Sequence, residues 1–194
     1  RVREIGGFDL AAVPRARMAP AAPELPPVVP VIFHGSARAA RLAPPAAAVS
    51  LYQMLNRRTG EPRYASHEAV CTAFGIAPGT PLVLTGAGRD SPLERWWGLG
   101  EARRREVIRA ARMAGAVAAT TPNFSLFLDR PRWDDLHAMK RIAIVHWEFL
   151  DEGLPAALHV NGRTETDFRR WAAFLAERSE ITFVAYEFAT GTGW

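Results

Sequence analysis

With 194 residues, 48% of them hydrophobic and 23% charged, the chain is long enough for one well-buried core and too short for two large domains. Cys71 is the only cysteine, which excludes an internal disulfide and a cysteine-rich zinc site and makes a reducing, cytoplasmic setting the expectation. The formal charge of +4 invites an anionic partner, yet bases and acids are intermixed along the chain, so a solvated, salt-bridged surface competes with that reading. No apolar run approaches the roughly 18 residues needed to cross a bilayer, so no membrane association is expected.

Residues 1–29, rich in Ala, Pro and Arg, read as an extended, polyproline-like lead-in, and 30–194 as a single domain. Its text stops inside a loop-like "FATGTGW", so further chain is expected beyond it. "VIFHG", Val31 to Gly35, predicts a first strand, and "AAAVSLYQML", Ala46 to Leu55, fits strand or helix. "SHEAVCTAFGI" predicts a helix capped by Ser66 and ending near Gly75.

From there a rhythm sets in. "PLVLTG" is a buried-type strand, "EARRREVIRAARMAG" an amphipathic helix closed by Gly115, and "AVAAT" the next strand. A helix from Asp134 carries the stripe Leu136, Met139, Ala143, His146 and Leu150, where His146 is read as core. "PAALHV" is a strand, Thr164 with Asp167 resembles a capping box before a helix, and "ITFVAYEF" is the last strand. Nearly continuous apolar strands separated by amphipathic helices predict an α/β fold of parallel βα units. A partial TIM-like barrel is favoured over a doubly wound sheet, because polar residues recur after successive strands and no glycine-rich dinucleotide fingerprint follows any of them. "GAGRD" after Leu84 lacks the third glycine and is read as a turn, so no cofactor is expected.

In either architecture ligands collect at the carboxyl ends of strands, so the residues following each strand are the candidates. These are His34; Arg89, Asp90, Glu94 and Arg95; Asn123, Ser125, Asp129 and Arg130; His159, Asn161 and Arg163; and Glu187 with Thr190. His159 and Glu187 form the expected acid/base pair, since an imidazole and a carboxylate on neighbouring strand ends can lie within hydrogen-bond reach. Asn123, Ser125, Asp129, Asn161, Arg163, Asp90 and Arg95 are the expected ligand-binding set. No metal is expected, since neither H-x-H nor H-E-x-x-H spacing occurs, and Cys71 reads as a buried, inert thiol. In "SPLERWWGLG" one of Trp96 and Trp97 is expected in the core and the other in a site. Phe124, Phe127 and Trp133 are expected to form a lid or collar.

The segment Thr121-Pro122-Asn123-Phe124-Ser125, followed by Phe127, Asp129 and Pro131, then His146-Trp147 and Gly153 to Pro155, resembles an uncharacterised bacterial and phage domain family. Its members carry T-P-[Asp/Asn]-F-S, an aromatic and D-x-P. The resemblance spans about Ser91 to Trp194; Asn123 stands where relatives more often have Asp, and His146 replaces an aromatic. The family carries no established activity, so it marks the loop as a shared feature without implying a reaction.

The leading expectation is a domain that binds or processes a small anionic or nucleotide-like ligand at the strand C-terminal face. The alternative is a non-catalytic nucleic-acid or partner-binding module of a mobile element, and a third reading is a scaffold whose mouth is plugged by side chains. Whether the protein is an enzyme stays open at this point.

Overall fold

The computed structural model of the protein describes residues 2–17, 20–35 and 39–188. Five parallel strands, β1 (Ala47–Ser50), β2 (Leu82–Thr85), β3 (Ala116–Thr120), β4 (Ala156–His159) and β5 (Val184–Ala185), lie in the order β1-β2-β3-β4-β5. Between them run α1 (His67–Phe74), α2 (Asp90–Gly98), α3 (Glu101–Met113), α4 (Arg132–Asp151) and α5 (Glu165–Ala176). The expected α/β architecture of parallel βα units is therefore present. Strand order follows chain order without reversal, so the described sheet has no topological switch point of the doubly wound kind.

Crossovers of one hand between successive neighbours lay the helices on one face of the sheet. Side-chain alternation agrees. Ala47, Val49, Leu82, Leu84, Ala116, Ala119, Ala156 and Leu158 join the main core beneath the helices, whereas Ala48, Val83 and Ala118 form a small separate cluster on the other face. Near its carboxyl edge that second face carries hydroxyls, because register sets Ser50 beside Thr85 and Thr120 beside Ala157.

Local signals explain most boundaries. Ser66 accepts from Ala69 N at 3.2 Å and Gly75, at φ 62°, closes α1. At α5 the capping box closes in both directions, with Thr164 N donating to Asp167 Oδ2 at 2.9 Å. The first strand read at Val31 to Gly35 reduces to a single bridge, Val31 to Ala48, held by Ile32 N to Ala48 O at 2.8 Å. The Ala46–Leu55 segment splits into β1 and a 3-10 turn, Leu51–Gln53. Helix α2 carried no helical reading in the sequence, since two tryptophans and a glycine mask its period.

Helix α4 is buried well beyond its apolar stripe: His137, Lys140, Arg141 and Glu148 are also enclosed. The lead-in covers this second side through Ile5, Leu10 and Val13, all buried. Lys140, the sole lysine, donates to the carbonyl of Asp9, and Arg178 donates to Pro14 O at 2.9 Å and Ala11 O at 3.2 Å. Segment 2–17 is thus fastened to α4 and the end of α5. Glu148 in turn forms a buried ion pair with Arg104 of α3, Nε to Oε2 at 2.8 Å. No helix among the described residues is long and apolar enough to cross a membrane.

Candidate functional site

The segment after β3 runs from the sheet edge into the loops above it. Thr121 keeps strand geometry, donating its backbone N–H to Ala157 O at 3.0 Å, as expected for a residue ahead of proline. Its hydroxyl oxygen accepts from His159 N at 2.9 Å. Two residues on, Asn123 is 6% exposed and bridges three segments. Its Oδ1 accepts from Gly88 N at 3.0 Å, and its Nδ2 donates to Glu187 Oε2 at 2.6 Å. A backbone N–H can only donate and a carboxylate can only accept, so the orientation of the amide is fixed.

His159, the last residue of β4, is 3% exposed. Its Nδ1 lies 3.2 Å from the Thr121 carbonyl oxygen, which can only accept, so the proton sits on Nδ1. Nε2 is then a bare lone pair, buried and without a partner among the described residues. Burial pushes the imidazole below its usual pKa, opposed by the Thr121 carbonyl and by the charge of Glu187. The ring is therefore neutral at pH 7. Tyr52, which donates to the Gly86 carbonyl, is held protonated by burial and by the same Glu187.

The predicted residues divide into groups. His159, Glu187 and Asn123 converge at the carboxyl edge of the sheet. Ser125 and Asp90 meet next door, Oγ to Oδ1 at 2.7 Å, on the wall of a cavity of about 380 Å³ that Trp97, Glu94, Phe127 and Arg141 also line. Asn161 and Arg163 turn to the backbone of the β3–α4 loop instead, donating to Phe124 O at 3.0 Å and Leu126 O at 2.7 Å. They position that loop. Asp129 is exposed on the turn beyond it, and Arg95 lies on α2 against a different concavity. His34 is exposed, and Thr190 lies outside the described residues. Among the described residues no group of His, Cys, Asp and Glu side chains is placed to hold a metal ion.

The expectation of a lid needs refining at Phe124, whereas those for Trp96, His146 and Cys71 hold. Phe124 belongs to the core, fully buried, with the Arg141 guanidinium 4.0 Å over its ring, so it is no lid. Phe127 and Trp133 are 41% and 61% exposed, and Phe127 lines the neighbouring cavity. Trp96 is core and Trp97 lines the cavity. His146 is core: Nε2 lies 2.9 Å from Ala156 O, and burial lowers its pKa to about 4. Cys71 is fully buried, its thiol pKa raised by burial.

Two contributors escaped the sequence reading. Tyr52 follows β1 in a segment whose type was ambiguous. In "GAGRD", Gly86 is a packing residue: a Cβ there would lie 2.5 Å from Thr120 O and from the Thr121 carbonyl carbon. The tips of β2 and β3 touch backbone to backbone, with Gly86 N donating to Thr120 Oγ1 at 3.0 Å. A strand-end glycine followed by a second glycine was the available signal.

No protein-family model, no curated protein and no solved structure matches this chain.

Proposed function

We propose that the carboxyl edge of the sheet is a small-ligand site in which His159 acts as general base and Glu187, oriented by Asn123, assists it, in a domain whose sheet is an arc of a (β/α) barrel. The observation carrying this reading is the lone pair of His159 Nε2, neutral and without a partner, on a strand end beside a carboxylate. A buried polar atom left unsatisfied costs about 1–3 kcal/mol, which a structural histidine avoids by finding a partner. A functional one reserves the atom for what binds. Glu187, Asn123 and the half-buried hydroxyls of Ser50, Thr85 and Thr120 suit a ligand that presents hydroxyl or N–H groups.

The competing module reading needs free arginines along the helices. On α3, Arg105 bonds Asp151 at 2.8 Å and Glu101 at 3.0 Å, Arg109 bonds Glu152 at 2.9 Å, and Arg103 bonds Glu106 at 2.7 Å. Cations neutralised in this way give no continuous basic stripe, so the ligand-site reading is preferred.

A thermal-stabilisation screen of nucleotides, nucleosides and sugar phosphates tests the proposal. A true ligand moves the His159 ring ¹⁵N resonances and loses its stabilising effect in His159→Ala. Equal stabilisation of wild type and His159→Ala by every active compound would remove His159 from the site.

A further inference from the structure

A second concavity lies between the segment that follows β1 and helix α2. Two adjoining cavities of about 350 Å³ and about 150 Å³ share Leu55, Arg57 and Arg95 in their walls. Arg58 joins the first and Trp96 the second. Arg57, Arg58 and Arg95 are exposed and have no acidic partner among the described residues. Glu94, next to Arg95, pairs with Arg141 at 2.8 Å, and Glu101 pairs with Arg105 at 3.0 Å; Glu61, in the same hairpin as Arg57 and Arg58, forms an ion pair with none of the three arginines. Three guanidinium groups around one hollow, none of them in an ion pair, create a positive potential that attracts an anion.

Trp96 closes the floor of the smaller cavity. Trp96 is 1% exposed, and its Nε1–H, a group that can only donate, has no acceptor among the described residues. The wall opposite is preorganised. Asn56 Oδ1 accepts from Arg58 N at 2.9 Å, Asn56 O accepts from Gly60 N at 2.8 Å, and Gly60 sits at φ 73° with its Cβ position 2.6 Å from Leu99 Cδ2. The loop carrying Arg57 and Arg58 is therefore pinned against the end of α2.

We propose that this hollow is an anion site for the phosphate group of a small phosphorylated ligand, held by Arg57, Arg58 and Arg95. Planar guanidinium forks match phosphate oxygens bidentately, and several of them suit a multiply charged group better than a single carboxylate. A small molecule fits better than a nucleic-acid backbone, because the hollow is local and concave and Arg103, Arg105 and Arg109 of α3 are already paired. The proposal stands independently of the role of His159.

Isothermal titration of the protein with inorganic pyrophosphate is the test. The expected result is saturable binding near one site per chain, weakened at least about tenfold by Arg95→Gln and abolished by combined Arg57→Gln, Arg58→Gln and Arg95→Gln. Arg169→Gln, which removes the same charge from α5, leaves binding unchanged. Lack of saturable binding at millimolar pyrophosphate, or equal weakening by Arg169→Gln, overturns the proposal. So does a single-stranded oligonucleotide whose binding to the arginines pyrophosphate fails to displace.

Discussion

Asn123 donates its side-chain amide to Glu187 across a 2.6 Å hydrogen bond that joins positions 64 residues apart, while its carbonyl oxygen holds Gly88. One side chain thereby ties the ends of β2, β3 and β5. Asn123→Asp would set a carboxylate against Glu187. Two carboxylates at that distance cannot both ionise without penalty, so one takes up a proton. The variant is expected to lose about 1–3 kcal/mol at pH 8 and to recover much of it at pH 5. Urea unfolding at the two pH values measures this, and equal losses at both would mean the amide's donor role is unimportant.

Gly86→Ala should be among the most damaging small substitutions. Its Cβ would meet backbone atoms of Thr120 and Thr121 at 2.5 Å, and backbone cannot swing aside as a side chain can. A loss of about 2–4 kcal/mol is expected, from strain and from displacing the strand tips. Gly79→Ala serves as a comparison, since nothing lies near its Cβ position although its φ of 82° still disfavours a side chain. Thermal unfolding of the two should separate crowding from conformation; a milder effect at Gly86 would count against the close approach.

The buried ion pair of Arg104 and Glu148 sets up an asymmetric outcome. Burial raises the Glu148 pKa, and the two bonds from Arg104 oppose that rise. Glu148→Ala leaves a guanidinium enclosed without its partner and should cost about 3–5 kcal/mol. Replacing both, Arg104→Met with Glu148→Leu, should cost much less. A double-mutant cycle on denaturant midpoints decides, and an additive result would show that the pair is not coupled.

Acid sensitivity should be dominated in part by His146. Its folded pKa of about 4 lies below the unfolded value near 6.5, so the unfolded chain binds more protons between those pH values. Its stabilising contribution is complete above about pH 6.5 and falls as pH drops toward 4, by about 3 kcal/mol in all. His159, shifted in the same direction, likewise loses stabilising effect as pH falls below its unfolded value. His146→Gln should flatten the slope of stability against pH from 4 to 6.5 while leaving that of His159; an unchanged slope would contradict the buried, neutral ring.

The sequence by itself determined the alternation of strands and helices, because an apolar strand run, an amphipathic period and caps such as Ser66, Thr164 with Asp167, and Gly115 act over a few residues. It also marked His159 and Asn123 as strand-end residues, since that position follows from where each strand stops; Glu187 lay within the strand read over "ITFVAYEF", which the structure shortens to Val184–Ala185. Tertiary structure alone decided which of these residues meet. Asn123 reaches Glu187, while Asn161 and Arg163 turn to the loop backbone, a choice set by the register of neighbouring strands and invisible along the chain. It decided too that Phe124 is core, that Gly86 is a contact surface, and that the lead-in buries Lys140. Each depends on which segments, far apart in sequence, are pressed together once burial of α4 on both sides outweighs the entropy of ordering the chain's first residues.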